Sequence, residues 1–439
     1  MMKIAYDAQA FLSSNGGTGK GSQLKNLLGP YADQFVGFAS TDPNPSGLPL
    51  VQEGLSGYTA WQQFSLPRSL KRHGARVFLS PYNVAPFFLP RSIDLVLVLH
   101  DLILMQGFRK RDPKGRLMDA YRRWQIPHSV RRARIVLTVS EHSRTEILKR
   151  FPHANVHVIP CTLPEQWFAP TPLQGRAGYL LMTTSSAPHK NAKGALKAYA
   201  RYVQQAGAAS RPLRIVGLGS HARPYKELLT WEGISGKATF LPFQSESELI
   251  AQYQSAAALF FPSFSEGFGI PMLEAMATGT PVLASNCTSL PEVGGSAARY
   301  FNPHSLPDMA AALYEVLGDD TLRATMAERG LIEIQRYAPA RVRQQVIHFW
   351  EEIAGIPTND HAPFAHPLPA SPHKTPRESA TRRNNRNLLH ANPTKLVRFA
   401  SVHDRRREAE NLRTHPMSTR RLWCKLRQGP AVGSEMLDY

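Results

Sequence analysis

The chain is poor in cysteine, with three in 439 residues, Cys161, Cys287 and Cys424. None is spaced from another Cys or a His as metal ligands are. This excludes a disulfide framework and a zinc knuckle, and it suits a reducing compartment in which Cys161 and Cys287 are structural. Long apolar runs are also lacking. The most apolar stretch, 93–105, is broken by Asp94, His100 and Asp101 and falls short of the roughly 20 residues that span a bilayer. The opening Met1-Met2-Lys3-Ile4-Ala5-Tyr6-Asp7 reaches an acid without an apolar core, so no export signal is expected. Acids are scarce beside bases: 33 Asp and Glu against 52 Lys and Arg, a formal charge of +19. A basic balance favours nucleic acid, anionic headgroups or phosphorylated small molecules as partners and does not choose among them.

What the chain does have is enough apolar residue, 42 %, to bury sizeable cores, which excludes a wholly disordered protein. Over the first 355 residues, short β-rich apolar runs alternate with longer amphipathic stretches. That pattern predicts parallel sheets covered by helices, an α/β fold. The predicted strands are 3–6, 76–79, 95–99 and 135–139 in a first set, then 179–183, 214–216, 239–241, 259–261, 282–284 and 299–301 in a second. Between the sets, 160–176 carries Pro160, Pro164, Pro170 and Pro172 and reads as a linker. Beyond Gly355 the sequence becomes rich in Pro and His, then in Arg, with little apolar periodicity. Residues 356–439 are expected to form a disordered basic tail, either a tether to an anionic partner or a plain extension.

The densest chemical signal runs from Pro262 to Val282. An apolar strand turns through Gly267 and Gly269 into a helix with Pro271 in its first turn and Gly279 at its stop. Such a strand–loop–helix unit brings backbone N–H groups and a positive helix end to the carboxyl edge of a sheet, where an oxygen-rich ligand binds. Glu266 falls in the loop and Glu274 about one turn into the helix, so both carboxylates can face one crevice and accept hydrogen bonds from sugar hydroxyls. The competing reading makes Glu274 an ordinary surface residue and the glycines a plain turn. Near the start, Asn15-Gly16-Gly17-Thr18-Gly19-Lys20-Gly21 approaches a P-loop but has Ser14 where the first glycine belongs and Gly21 where Ser or Thr is required. It reads as a diphosphate-facing loop or as a flexible turn.

Glu266 and Glu274, set in Ser-Glu-Gly-Phe-Gly-Ile-Pro and followed by Ala-Ser-Asn-Cys-Thr-Ser-Leu-Pro-Glu-Val-Gly-Gly at 284–295, resemble the donor signature of the family-4, group 1, retaining glycosyltransferases. Further matches fall in order: Lys3-Ile4-Ala5-Tyr6-Asp7, Leu79-Ser80-Pro81-Tyr82-Asn83, His100-Asp101-Leu102, Thr138-Val139-Ser140-Glu141-His142-Ser143, Val158-Ile159-Pro160, Pro188-His189-Lys190-Asn191 and Ile215-Val216-Gly217-Leu218-Gly219. The resemblance implies a GT-B fold, two Rossmann-like domains facing across a cleft. An acceptor domain would take 1–165, completed by a returning helix at 340–355. A nucleotide-sugar donor domain would take 166–339, with the basic tail at 356–439 outside the likeness.

It also implies roles. Glu274 would hold the ribose hydroxyls and Glu266 those of the donor sugar. Phe268 and Gly269, in the segment Gly267 to Ile270, would offer N–H groups to sugar or phosphate. Lys190 would neutralise the diphosphate and stabilise the leaving group. His100 would contact the donor sugar near the reacting carbon, with Asp101 close by on the acceptor side, and Gly16, Gly17 and Gly19 would approach the diphosphate. Ser140, Glu141 and Ser143 would line the cleft floor, or Ser140 would only cap its helix. The family often has an arginine where this chain has Ser185. Transfer in the family needs no bound metal, and this sequence has no Asp-x-Asp cluster beside the predicted donor site.

The expected protein is therefore a cytoplasmic, retaining, metal-independent hexosyltransferase without a cofactor. It would move a hexose from a nucleotide diphosphate sugar to a saccharide or lipid-linked saccharide acceptor in surface polysaccharide or lipopolysaccharide assembly. Mannose from GDP-mannose is the favoured donor. Arg109-Lys110-Arg111, Arg122-Arg123 and Arg131-Arg132, with Trp61 and Trp124 helping to dock, would suit peripheral contact with anionic membrane on the inner face or a polyprenyl-diphosphate acceptor; the competing reading makes the arginines solvated and the tryptophans core. Two alternatives compete: a nucleotide-sugar epimerase of the same fold, and a nucleic-acid-binding protein acting through the tail, though no nucleic-acid motif is present.

Overall fold

The computed structural model describes residues 4–12, 19–40, 49–55, 57–107, 113–168, 170 and 178–354. Gly16, Gly17, Arg109-Lys110-Arg111 and the tail 356–439 lie outside the described residues. All described residues belong to one compact unit, 1–373.

Two all-parallel sheets organise it. The first contains β1 (Ile4–Asp7), β2 (Phe35–Ala39), β3 (Leu50–Gln52), β4 (Val77–Ser80), β5 (Asp94–Val98), β6 (Ile135–Thr138) and β7 (Val156–Val158), in the order β3-β2-β1-β4-β5-β6-β7. The second contains β8 (Tyr179–Thr183), β9 (Leu213–Val216), β10 (Ala238–Phe240), β11 (Ala256–Phe261), β12 (Val282–Ser285) and β13 (Ala298–Phe301), in the order β10-β9-β8-β11-β12-β13. The helices that matter below are α1 (Gly19–Leu28), α2 (Leu66–Arg72), α3 (Pro113–Arg132), α4 (Glu141–Arg150), α5 (Ala192–Ala206), α6 (Glu246–Ser255), α7 (Ile270–Ala277), α8 (Leu306–Gly318) and α9 (Pro339–Ala354).

Both sheets are buried on both faces, and side-chain alternation divides each strand between two cores. In β8, Leu180 and Met182 join the core under α5 and α8, whereas Tyr179 and Leu181 join the core that holds α7. In β1, Ile4 and Tyr6 pack toward α1 and α9, and Ala5 packs toward α2 and α3. That double burial is why the strands read as continuous apolar runs. All six strands predicted in the second half form, as do four in the first. The sequence reading missed β2, β3 and β7. Two of these, β3 and β7, are three-residue edge strands, too short to show a period. The third, β2, is interrupted by Gly37, where an added Cβ would lie 2.8 Å from the Tyr6 ring. A glycine there lets the Tyr6 ring pack beside the strand.

Helix α9 returns to the first sheet. Val342, Val346, Phe349 and Trp350 sit in the core with β1 and α1. Trp350 is fully buried, edge-on to Phe35 with centroids 5.2 Å apart, and donates its indole N–H to the Leu27 carbonyl at 2.9 Å. The chain thus crosses to the second sheet and comes back, so the two sheets are joined by two chain segments.

Each sheet has one place where strand order reverses: between β1 and β4 in the first and between β8 and β11 in the second. Helix connections leave in opposite directions there and open a crevice at the carboxyl ends of the strands, the usual ligand position in such sheets. The loops at the second reversal are 184–191 and 262–269, the two richest in candidate residues.

Candidate active site between two sheet edges

At the carboxyl end of β8, the chain runs through Ser185 into a short turn, Pro188–Lys190, and then into α5. Asn191 takes a left-handed conformation, φ 52°. Its side-chain amide donates to the carbonyls of Pro262 and Pro303, both at 3.1 Å, and the Phe264 N–H donates to the His189 carbonyl at 2.7 Å. These bonds fix the turn against the loop after β11. Lys190 therefore reaches Glu266, with Nζ 2.7 Å from Oε1 and both side chains largely covered. A charge-assisted bond of this kind contributes about 1.5–3 kcal/mol. Burial holds His189 below its ordinary pKa, so neutral imidazole is favoured beside that pair.

Glu274 lies on α7, half-buried, in the same neighbourhood. The Tyr253 hydroxyl, from α6, donates to its Oε2 at 2.6 Å and lies 3.3 Å from Thr183 Oγ1 at the end of β8. Loss of hydration pushes the Glu274 carboxyl up to about 7. The Tyr253 bond and the Lys190 charge pull it down, and Glu246 pushes it up. Tyr253 itself is raised well above its ordinary value by burial and by that carboxylate. Glu274 is therefore an acceptor poised near neutrality, and the charge of Lys190, paired with Glu266, acts on it.

The loop 262–269 turns where only glycine fits. Gly269 has φ +117° and precedes α7 as its N-cap, and an added Cβ would lie 2.8 Å from Leu290. Pro271 occupies the first turn and Gly279, φ 67°, follows the last, as the sequence implied. Ile270 opens α7, and Phe268 buries its ring edge-on to Tyr337, so Phe268 and Gly269 present backbone rather than side chain. Gly267 lies closest to the first sheet. An added Cβ there would lie 2.7 Å from the His100 carbonyl and 3.0 Å from Asp101 Cβ.

The first sheet answers from the ends of β5 and β6. His100 follows β5, is buried, and has Nε2 3.2 Å from the Pro81 carbonyl. That partner can only accept, which fixes the Nε2-protonated tautomer. Its backbone N–H donates to Asn83 Oδ1 at 3.0 Å. Asp101 Oδ1 accepts from the Ile103 N–H at 3.0 Å. Ser140 does both things expected of it. Its Oγ accepts from the Ser143 N–H at 3.0 Å, capping α4, and donates to the Gly267 carbonyl at 2.8 Å. Ser143 Oγ lies 3.1 Å from the same carbonyl and from that of His100.

The structure thus brings Lys190, Glu266, Gly267, Phe268, Gly269, Ile270 and Glu274 together, and sets His100 and Asp101 against Gly267 from the facing sheet. Ser185 is at the mouth of the same crevice, its Oγ 3.4 Å from the Ala187 N–H. Of the glycine loop, only Gly19 is described, as the first residue of α1. Where Asp101, Gln106, His142, Glu146, Ser265 and Glu266 meet, the space is about 10 Å³. That is room for one water, so this spot is a contact rather than a binding cavity. Among the described residues, no group of three His, Cys, Asp or Glu is placed to hold a metal ion.

Several contributors carried no recognisable signal. Ser289 donates to the carbonyls of Glu266 at 3.0 Å and Phe268 at 2.8 Å, and Thr288, with φ 54°, accepts from the Glu266 N–H at 3.1 Å. Glu292 crosses to the first sheet and accepts from the N–H groups of Glu141 at 2.8 Å and His142 at 2.9 Å, a second cap on α4 where the helix end is positive. Ser265 donates to Gln106 at 2.8 Å. Residues 288, 289 and 292 sit in the Thr-Ser-Leu-Pro-Glu-Val run at 288–293, where only the fold reveals what each does. Tyr253 had no sequence signal at all. Trp61, which the sequence left between a docking surface and the core, is 1 % exposed, with its indole N–H on the Glu53 carbonyl at 3.0 Å. It belongs to the core because the adjacent turns of chain carry its neighbours Leu66 and Leu70 inward.

Comparison with known proteins fits this geometry. The model described as "Glycosyl transferases group 1" matches residues 165–331, and that described as "Glycosyltransferase Family 4" matches 31–166. Together they run across well over half the chain. The chain is 28 % identical over 288 residues to the O-antigen chain mannosyltransferase B of Escherichia coli, covering 62 % of this chain and 74 % of that one. It is 31 % identical over 207 residues to the O-antigen chain mannosyltransferase RfbU of Salmonella typhimurium, covering 46 % of this chain and 57 % of that protein. In fold it is similar to Anabaena HepE in complex with UDP-glucose, with TM-score 0.65, 18 % identity, and 80 % of this chain and 100 % of that one covered.

Proposed function

The chain belongs to the group 1, family 4 glycosyltransferases, and from that premise we propose that it transfers mannose from GDP-mannose, with retention and without a metal ion, to a saccharide or lipid-linked saccharide acceptor of surface polysaccharide. The observation that carries this reading is the Lys190–Glu266 pair beside the Tyr253–Glu274 pair at one sheet edge. It places one cation and two carboxylate acceptors within reach of a single ligand. The mannosyltransferase relatives support the choice of sugar.

A nucleoside diphosphate sugar has two sets of hydroxyls flanking a dianionic centre, and two carboxylates with one lysine supply the matching chemistry. Glu274 accepts from the ribose hydroxyls, giving up its bond from Tyr253 in whole or part. The diphosphate takes over Lys190, and Glu266 is released to accept from the donor sugar. The backbone N–H groups of Phe268 and Gly269 supply further donors at the positive end of α7.

In the retaining step, an acceptor hydroxyl oxygen bonds to the anomeric carbon on the face from which the diphosphate departs. The bond from that carbon to the phosphate oxygen breaks, and the departing oxygen takes the acceptor proton. Lys190 stabilises the charge that develops on the leaving group. His100, held as the Nε2–H tautomer by Pro81, shapes the sugar pocket from the facing sheet, and Asp101 stands on the acceptor side. The acceptor brings the enzyme into peripheral contact with an anionic membrane on its cytoplasmic face.

The test is calorimetric titration of the full chain with GDP-mannose, UDP-glucose and GDP in the presence of a chelator, followed by NMR assignment of the anomeric configuration of any product. Tight binding of the guanosine compounds alone and a product of retained configuration are expected. Preference for UDP-glucose, dependence on added divalent metal, or an inverted product would each overturn the corresponding part of the reading.

A further inference from the structure

A surface formed by residues outside the candidate site carries an unusual combination of groups. Phe64, Phe87, Phe88 and Trp124 are 46, 38, 58 and 61 % exposed, yet they are not scattered. Trp124 stacks on Phe87 at 5.4 Å, Phe87 meets Phe88 edge-on at 5.2 Å, and Phe88 stacks on Phe64 at 5.8 Å, a continuous aromatic stripe across two elements and a loop. The stripe continues along α3. Leu117, 75 % exposed, Tyr121, Trp124 and His128 recur at the spacing of one helix face. The opposite face of α3 is already committed to the core through Ile126 and Val130, so the helix is apolar on two sides, one buried and one carrying the exposed stripe. Beside the stripe runs an open groove of about 350 Å³ between α2 and the loop after β4, lined by Phe64, Pro67, Arg68, Lys71, Phe88 and Pro90.

The charge of the folded region is concentrated on the same elements. Segments 61–72, 81–93 and 113–132 hold ten Lys and Arg and one acid, Asp119, which is buried. Residues 1–355 as a whole hold 37 bases and 26 acids, so these three segments account for nine of the eleven net positive charges. Some of the cations are internally engaged: Arg72 pairs with Glu53 at 2.8 Å, and Arg132 donates to the Pro90 and Ile93 carbonyls, both at 2.7 Å. Arg68, Lys71, Arg91, Arg116 and Arg131 are exposed around the stripe.

We propose that this face of the first sheet, the Phe64–Phe88–Phe87–Trp124 stripe with its rim of Arg and Lys, is the surface by which the chain sits on an anionic lipid bilayer. The inference deepens the membrane contact proposed above and rests on that part of the reading alone. Exposed aromatic rings bury their apolar bodies at the depth of the headgroups, while long basic side chains reach out to phosphates from the rim. Each cation near an anionic leaflet adds to the attraction, and the absence of exposed acids on these three segments removes the repulsion. A protein partner or a second copy of this chain would need acidic groups opposite so many cations, and the described residues of these three segments offer no exposed one to a symmetric mate.

The test measures partition of the full chain onto phosphatidylglycerol vesicles and phosphatidylcholine vesicles by co-sedimentation. Strong, salt-sensitive partition onto the anionic vesicles is expected. In Phe88→Ser/Trp124→Ser and in Arg68→Glu/Lys71→Glu it should drop about tenfold or more, with nucleotide-sugar binding retained. Trp124→Phe gives a second readout in an undisturbed fold: brominated phosphatidylglycerol should quench the wild-type emission, and much of that quenching should vanish in the variant.

Vesicle binding that is equal in wild type and both double variants would overturn the proposal and assign the attraction to the basic residues of 356–439. Absence of vesicle binding, with sedimentation velocity showing a dimer that the aromatic variant dissolves, would overturn it in favour of a second copy. Vesicle binding that follows the stripe in a chain that binds no nucleotide sugar would sink the donor reading and leave this surface standing.

Discussion

Glu274 is the residue on which the site's pH behaviour turns. Its carboxyl, pushed up to about 7 by loss of hydration, must be ionised if it is to accept from both ribose hydroxyls as proposed. Nucleotide affinity should therefore rise with pH, by at most tenfold for each pH unit below 7, and level off above it. Titration calorimetry between pH 5.5 and 8 checks this. Glu274→Gln should lower affinity about tenfold and abolish the pH dependence, since the amide keeps the shape and cannot ionise. A Glu274→Gln variant that binds as wild type would move the nucleotide elsewhere. Lys190→Ala leaves Glu266 partly buried without its counter-charge and removes the cation facing the leaving group. Turnover should fall by about 100-fold or more, measured as nucleoside diphosphate release. Ser185, at the position where the family often has an arginine, offers a hydroxyl and no charge to share that work.

At the scale of elements, the decisive feature is how closely the loop 262–269 approaches β5. Gly267 is required because the His100 carbonyl occupies the space a Cβ would fill, at 2.7 Å. The close approach brings its carbonyl under Ser140 and Ser143. Gly267→Ala should push the loop off the first sheet, costing about 1–3 kcal/mol at the contact. Catalytic turnover should drop far more than nucleotide affinity, because Glu274 is carried by α7 and Lys190 by the turn after β8 rather than by this loop. Comparison of kcat with the Kd for nucleotide reads the difference. Helix α4 shows the same economy: one terminus is capped from its own chain by Ser140 and from the other sheet by Glu292, so two hydrogen-bonding needs are met by groups that also tie the sheets together.

For the whole molecule, the returning helix and the buried acids set stability. Trp350 is fully buried between Phe35 and Phe349. Trp350→Ala should destabilise the chain by roughly 3–5 kcal/mol, a clear fall in the thermal midpoint. Asp7, buried at the end of β1, accepts from Tyr58 at 3.0 Å and from the Gln9 N–H at 3.0 Å, and burial still pushes its carboxyl up to about 7. Asp7 and Glu274 hold protons in the folded chain at pH values where the unfolded chain has lost them. Stability should therefore fall as pH rises from about 4 toward 7, other groups being equal, and Asp7→Asn should flatten that fall. Thermal midpoints across this pH range measure it.

The sequence by itself determined the class of fold and singled out most of the residues that the structure gathers at the edge of the second sheet. Strands buried on both faces are continuous apolar runs, and a tight loop into a helix needs glycine and proline at fixed places, so both are written locally. Residues 262–282 were legible for that reason. The edge strands β3 and β7 were not, since three residues carry no period. What only the tertiary structure decided is which distant groups meet: Tyr253 on Glu274, Ser289 on two loop carbonyls, Glu292 on α4, Asn191 across three loops, and an aromatic stripe assembled from residues 64, 87, 88 and 124. These depend on strand order and on α9 carrying the chain back to the first sheet. A hydrogen bond 2.6 Å long leaves no trace in a sequence when its partners stand 21 residues apart on different helices.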